Sequence, residues 1–241
     1  MQFFKKLRDA QRPWCSALVV AAGNSSRMGG VNKLLEELDG VPVLARTLGA
    51  LQAASRVDEI VIATRETDIV TISQLCHTYE ITKATKVVRG GTSRTHSALL
   101  AAIEADSRAE LLAVHDGARP LATSTLIDSV IEVAARCAAA VPAIAVKDTV
   151  KVARDGAVER TLDRSTLVAV QTPQVFEASL LKAALQSALD QGADITDDCS
   201  AVERLGKVVY LTEGLEENIK ITTPLDLVLA EAILHAREDR T

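Results

Sequence analysis

Short apolar runs alternate with stretches of helical spacing along most of this chain, and that rhythm limits the fold more than any other feature. ALVVAAG at 17–23, DEIVIAT at 58–64, TKVVRGG at 85–91, ELLAVHDGARP at 110–120 and AAVPAIAV at 139–146 read as strands. Between them, VLARTLGALQAA after Pro42, DIVTISQLCHTYE at 68–80, HSALLAAIEAD at 96–106 and TSTLIDSVIEVAARC at 123–137 carry apolar residues at helical intervals. Thr123 or Ser124 would cap the last of these. Strands that are apolar along their length need cover on both faces, which strand–helix alternation supplies. The expected fold is α/β: a single Rossmann-like domain with a mostly parallel sheet covered by helices. The rhythm breaks after Val146. Alternation around Asp155–Gly156, VKVA before and AVER after, predicts a β-hairpin. That hairpin has little apolar surface to bury by itself, so residues of about 147–170 read as an arm that packs on a second copy of the chain. Helices return in EASLLKAALQSALDQG and from Thr196, a strand in KVVYLTEG at 207–214, and a closing helix in TPLDLVLAEAILHARED with Pro224 in its first turn. Residues 1–16 read as an N-terminal extension and 17–241 as one domain.

Composition removes several function classes. A net charge of −5 supplies no global field for nucleic acid, and 2% aromatic residues leave too few faces for base stacking. Cys15, Cys76, Cys137 and Cys199 are scattered without a C-x-x-C pair, so neither a zinc site nor a redox motif is expected. No run reaches the roughly 18 apolar residues of a membrane span, and MQFFKKLRDAQRPWC lacks the apolar region of a signal peptide. A cytoplasmic protein without membrane or nucleic-acid partners is the expectation.

Ligands of open α/β sheets sit beyond the C-terminal ends of the strands. Three of those ends, AAGNSSR, RGGTSR and HDGAR, combine glycine with a cation, which points to a polyanion site. The first loop continues as AAGNSSRMGGVNK and matches neither G-x-x-x-x-G-K-[ST] nor G-x-G-x-x-G. Its cations, Arg27 and Lys33, are spread along it: a guanidinium bridges two phosphate oxygens while an ammonium acts as a point charge. Gly90 and Gly91 in GGTSRTHS permit close backbone approach, and Ser97 adds a small polar side chain. Asp116 could ligate Mg²⁺ or hold a hydroxyl, and Arg119 could meet a phosphate. His115 reads as structural. Arg164 lies in a polar stretch past the hairpin, and Lys220 in a short strand-like run, ENIKIT. In TDD, Thr196 reads as an N-cap, with Asp197 and Asp198 favoured by the helix dipole rather than by a metal. No Ser-His-Asp order, H-E-x-x-H or paired-carboxylate motif is present, which leaves chemistry driven by positioning and charge.

AAGNSSRMGGVNK, VVRGGTSRTHSAL, LLAVHDGARP, VPAIAVKDTVK, TLDRSTLVAVQTPQVF, ITDDCSAVE and ENIKITTPLDL, in this order, resemble the 2-C-methyl-D-erythritol 4-phosphate cytidylyltransferase family over residues 17–232. The resemblance implies a GT-A-like nucleotidyltransferase fold and Mg²⁺-dependent transfer from CTP to a sugar-alcohol phosphate with release of pyrophosphate. It implies transition-state stabilisation by Arg27 and Lys33, and a CTP site built from Ala21, Ala22, Gly23, Gly91, Thr92 and Ser97. Asp116, Arg119, Thr149, Arg164 and Lys220 would meet the second substrate, with Arg164 and Lys220 also catalytic. Thr149 and Arg164 would reach a partner subunit's site in a homodimer. Thr92 departs from the acidic residue common at its position. Two other functions carry weight on the same residues: ribitol-5-phosphate cytidylyl transfer, and nucleotide binding without catalysis.

Overall fold

The computed structural model describes residues 12–23 and 32–239. The first strand, β1 (Cys15–Ala21), starts two residues earlier than the apolar run suggests. A two-residue ladder of β2 (Glu37–Leu38) and β3 (Val41–Pro42) leads into α1 (Val43–Ala53), entered directly after Pro42. Then follow β4 (Glu59–Thr64), α2 (Ile69–Thr78), β5 (Ala84–Arg89), α3 (Arg94–Glu104), β6 (Leu111–Asp116), α4 (Ser124–Cys137) and β7 (Ala139–Ala145). Thr123 caps α4 by accepting from the Leu126 amide. The hairpin is β8 (Lys151–Arg154) and β9 (Ala157–Thr161), with Asp155 and Gly156 both at positive φ in its turn. Beyond it lie β10 (Val168–Val170), β11 (Gln174–Glu177), α5 (Ala178–Asp190), α6 (Asp198–Arg204), β12 (Tyr210–Glu213) and α7 (Pro224–Glu238).

Pairing runs β10-β7-β11-β6-β1-β4-β5, with β12 also on β7. β6, β1, β4 and β5 are parallel neighbours, as is the β7–β12 pair. β11 is antiparallel to both β6 and β7, and β10 is antiparallel to β7. The sheet is therefore mixed and mostly parallel. The antiparallel insert lies in VAVQTPQVFE, where proline and two glutamines conceal two short strands from apolar-run reading. The strand expected at 207–214 is confined to Tyr210–Glu213, and the strand-like run around Lys220 forms no strand. The helix expected from Thr196 starts at Asp198. Its N-cap is Asp197, whose carboxylate accepts from the Ser200 amide.

Strand alternation divides the core between the two faces. Ala17, Val19, Ile60, Ile62, Ala113 and Val175 point toward α1, α2 and α4, where Leu44, Leu48, Ile72, Ile127 and Val130 meet them. Leu18, Val61, Leu112, Val114 and Phe176 point the other way, onto Ala98 and Ala101 of α3, Leu181 and Leu185 of α5, and Val202 of α6. Successive side chains of one strand thus enter opposite layers. Each fully buried Leu, Ile or Phe contributes roughly 1.5–3 kcal/mol, so both layers are needed to hold the C-terminal strand ends in register.

Candidate active site

Those strand ends form one edge, and the polar residues collect there. A cavity of about 260 Å³ is lined by Ala21, Ala22 and Gly23 after β1, Lys33, Gly91, Thr92, Arg94 and Ser97 around the start of α3, Asp116 at the end of β6, and Lys220. Arg27 lies outside the described residues, as does the rest of 24–31.

The wall next to α3 is backbone-rich for a steric reason. A Cβ on Gly90 would stand 2.5 Å from the Ala22 Cβ and 3.3 Å from the Thr64 carbonyl oxygen, so only glycine lets the two loops touch. The Gly91 amide donates to Ser97 Oγ at 3.0 Å, and Ser97 Oγ donates to the Ser93 carbonyl at 2.8 Å. Ser93 itself caps α3 by accepting from the His96 amide. Thr92, at the rim, lies 3.5 Å through its hydroxyl from His96 Nδ1. The loop is thereby fixed before any ligand arrives.

The opposite wall is a charge cluster centred on Asp116. Lys220 Nζ is 2.9 Å from Oδ2, Arg119 Nε 3.5 Å from the same oxygen, and Arg94 3.5 Å from Oδ1. Burial alone would raise the Asp116 carboxyl. The charges of Lys220, Arg94 and Arg119 outweigh it and hold the group well below the usual carboxylate range. Behind Asp116 the frame is dry: the Thr172 hydroxyl accepts from the Asp116 amide at 3.1 Å and lies 3.0 Å from His115 Nδ1. Burial pushes the His115 imidazole down to about 4, so it is neutral at pH 7, in line with a structural role. Lys33 Nζ donates to the Ile221 carbonyl at 2.9 Å, and Ile221 N donates to the Ala118 carbonyl at 2.8 Å. Lys220 is therefore held not by a sheet but by the Asn218–Ile221 turn, whose Asn218 amide group donates to the Thr172 carbonyl at 3.0 Å. Arg119 donates to the Asn218 carbonyl at 2.6 Å, which ties it to the same turn just outside the cavity lining.

As a magnesium ligand Asp116 fits poorly. Three cations already surround its oxygens, and the described residues contain no group of three or more His, Cys, Asp or Glu able to hold a metal. Magnesium at such sites is held largely by substrate phosphates, and the cationic cluster suits phosphates rather than a second cation.

Thr149 and Arg164 stand apart. Both are exposed, neither lines the cavity, and among the described residues the hairpin they flank pairs only with itself. Arg164 donates to the Lys147 carbonyl at the root of the arm. Motif reading does not single out Arg94, although it supplies the cation of the GGTSR strand end. Nor does it single out Gln171, Thr172 and Gln174, which order the turn and loops behind the site through hydrogen bonds to Leu215, Asp116 and Asp198. Gln171 and Thr172 lie in the link between β10 and β11 and Gln174 opens β11, so none of them falls in a periodic pattern. Asp198, expected as a dipole partner at the helix start, is buried and lies 2.8 Å from Arg94.

Comparison with known proteins agrees over nearly the full length. A family model described as 2-C-methyl-D-erythritol 4-phosphate cytidylyltransferase matches residues 15–236. Relatives of that name from Halalkalibacterium halodurans and Geobacillus kaustophilus are 43% and 42% identical, covering 93% and 92% of this chain and 99% and 97% of theirs. The crystal structure of 4-diphosphocytidyl-2C-methyl-D-erythritol synthase from Anaerococcus prevotii superimposes with a TM-score of 0.82 at 31% identity, covering 92% of this chain and 96% of that one. A 2-C-methyl-D-erythritol 4-phosphate cytidylyltransferase from Thermus thermophilus gives 0.76 at 32% identity, covering 90% and 98%. With its mixed sheet, its glycine-walled cavity and its cation cluster, this chain belongs to the 2-C-methyl-D-erythritol 4-phosphate cytidylyltransferase family of nucleotidyltransferases.

Proposed function

We propose that the chain transfers the cytidylyl group of CTP to 2-C-methyl-D-erythritol 4-phosphate, forming 4-diphosphocytidyl-2-C-methyl-D-erythritol and pyrophosphate for isoprenoid precursor synthesis. The observation that carries this reading is the convergence of Lys33, Arg94 and Lys220 on one cavity whose other wall is glycine backbone. Such a cavity accepts a base and ribose on the backbone side, along Gly91, Thr92 and Ser97, and a triphosphate along Ala21, Ala22, Gly23 and Lys33. A phosphate monoester has a second pKa near ~6, so the attacking oxygen needs no base. The barrier is the approach of one anion to another, and Lys33 and Arg27 lower it by stabilising charge as it builds in line on the α-phosphate. Lys220, poised on Asp116, holds the attacking phosphate, and Asp116 and Arg119 bound the alcohol's end of the cavity. A divalent cation such as Mg²⁺ would be held largely by the CTP phosphates rather than by Asp116, and would supply charge neutralisation there. The exposed arm, with Val158 64% exposed, supports a homodimer in which Thr149 and Arg164 complete the partner's site. No described helix is long and apolar enough to cross a membrane, and the reaction is assigned to the cytoplasm with its water-soluble substrates.

Pyrophosphate release from CTP, with and without the alcohol phosphate, tests the reading. Release should require 2-C-methyl-D-erythritol 4-phosphate. Preference for ribitol 5-phosphate in competition, or CTP binding without release, would replace it.

A further inference from the structure

Asp198 presents a puzzle. It is wholly buried, does not line the cavity and does not cap its helix, since Asp197 does that. Neither of its carboxylate oxygens receives a well-aligned hydrogen bond among the described residues. Its compensation is Arg94, whose NH1 nitrogen stands 2.8 Å from Oδ2. Burial pushes this carboxyl up while Arg94 opposes the shift, and an ion pair so buried is costly.

The surroundings show what the charge is for. Arg94 is the first residue of α3, where the helix dipole disfavours a cation. Left to itself, its guanidinium would close on the nearest anion in the cavity, Asp116. Asp198 draws one nitrogen away, so that Arg94 reaches Asp116 only at 3.5 Å, through NH2 and Oδ1. Oδ2 then faces Lys220 at 2.9 Å, with Arg119 Nε farther off at 3.5 Å. The result is a row of alternating charges, Asp198, Arg94, Asp116 and Lys220, running from the core to the cavity. Both residues are tied to the β11–β6 ladder. Gln174 Oε1 accepts from the Asp198 and Cys199 amides, each at 3.1 Å, and Gln174 stands opposite Val114 in the β11–β6 ladder, two residues before Asp116.

We propose, resting on the assignment of Lys220 to the attacking phosphate, that Asp198 and Arg94 are positioning residues for the second substrate. By keeping Arg94 from closing on Asp116, Asp198 keeps Lys220 seated where the alcohol phosphate binds.

Asp198→Asn keeps the shape and removes the charge. Arg94 then turns onto Asp116 and displaces Lys220. Steady-state pyrophosphate release should show KM for the alcohol phosphate raised about tenfold or more, the loss of one charge-assisted hydrogen bond to a phosphate. KM for CTP should stay within about twofold, a tolerance well under one such bond. Arg94→Gln should keep KM for the alcohol phosphate within about twofold of wild type, because no guanidinium is left to close on Asp116. In the Arg94→Gln background, Asp198→Asn should add nothing to KM, since it acts through Arg94. A merely structural role would lower the active fraction and move neither KM. If Asp198→Asn does not fold, the doubly neutral variant carries the test: with no guanidinium to close on Asp116, its KM for the alcohol phosphate should stay within about twofold of wild type, and a rise of about tenfold would overturn the proposal. In Asp198→Asn, an unchanged KM for the alcohol phosphate or equal shifts in both KM values would overturn the proposal, as would a rise in KM that persists in the double variant. Wild-type enzyme without alcohol-dependent release would instead overturn the assigned reaction.

Discussion

Replacing Asp116 by Asn should destabilise the protein by about 3 kcal/mol at pH 7, and the figure follows from the cluster's geometry. Three cations share this carboxylate, but they lose it unequally. Arg94 keeps Asp198. Lys220, with 39% of its side chain exposed, relaxes into water, which screens its share. Arg119 has neither escape: its side chain is 11% exposed and its Nε lies 3.5 Å from Oδ2. At an effective dielectric constant of about 20, that separation corresponds to roughly 5 kcal/mol of gross attraction. Breaking buried pairs from one side costs about 3–5 kcal/mol after relaxation. With a urea m-value of about 3 kcal/mol/M, as expected near the top of the range for a chain of this size, the midpoint should fall by about 1 M. Urea unfolding followed by circular dichroism measures it. The pH dependence has a definite sign. The native carboxyl is held below its unfolded value, so its contribution is complete above an unfolded pKa of about 4. It is lost as pH falls through the native value. The gap between wild type and variant should therefore be full at pH 7 and narrow below about pH 4. Pyrophosphate should raise the variant's midpoint more than the wild type's, because the variant gathers the same cations around one carboxylate fewer. A midpoint within about 0.3 M of wild type at pH 7, or a gap that does not narrow in acid, would refute the assignment of Asp116 as the counter-charge of the cluster.

Three further outcomes are expected. Lys33→Ala should lose on the order of 10²–10³-fold in turnover with an unchanged circular dichroism spectrum; near-normal pyrophosphate release would remove Lys33 from the chemistry. Gly90→Ala should cost about 1–3 kcal/mol of stability and weaken CTP binding in calorimetry, because its Cβ would meet the Ala22 Cβ and a Thr64 backbone oxygen, neither of which can swing aside. His115 is neutral in both folded and unfolded chains at pH 7. Below about 6.5 the unfolded imidazole takes a proton that the buried one, with its value near 4, refuses. Stability should therefore fall by roughly 3 kcal/mol between those values, and equilibrium unfolding of His115→Gln should show a shallower acid loss over that window.

The parallel half of the sheet is legible because its strands are short apolar runs, and VLARTLGALQAA or TSTLIDSVIEVAARC declare themselves by spacing. β10 and β11 are not, because Gln171, Thr172, Pro173 and Gln174 look like a loop in sequence. Gln171, Thr172 and Gln174 are buried in structure because their side chains satisfy a turn and a helix start elsewhere. For the site, glycine followed by a cation at successive strand ends points to one edge, where Ala21, Ala22, Gly23, Lys33, Gly91, Thr92, Ser97, Asp116 and Lys220 line one cavity. What the sequence hides is pairing. Nothing in TDD distinguishes a capping Asp197 from a buried Asp198, because that difference depends on which neighbour Arg94 reaches on the same face of the sheet.

The arm's roots bear on how such a chain can change over time. Ala145 and Val168 are direct partners in the β7–β10 ladder, so the excursion of 146–167 leaves and rejoins the domain at one hydrogen-bonded point. The sheet, not the hairpin, holds that loop closed, and closure entropy grows only slowly with length. The hairpin itself, from Lys151 to Thr161, can be lengthened or shortened while the domain that carries the cavity keeps its register. Thr149 and Arg164 lie at the base of the arm, outside the hairpin strands, so the tip can drift without touching them.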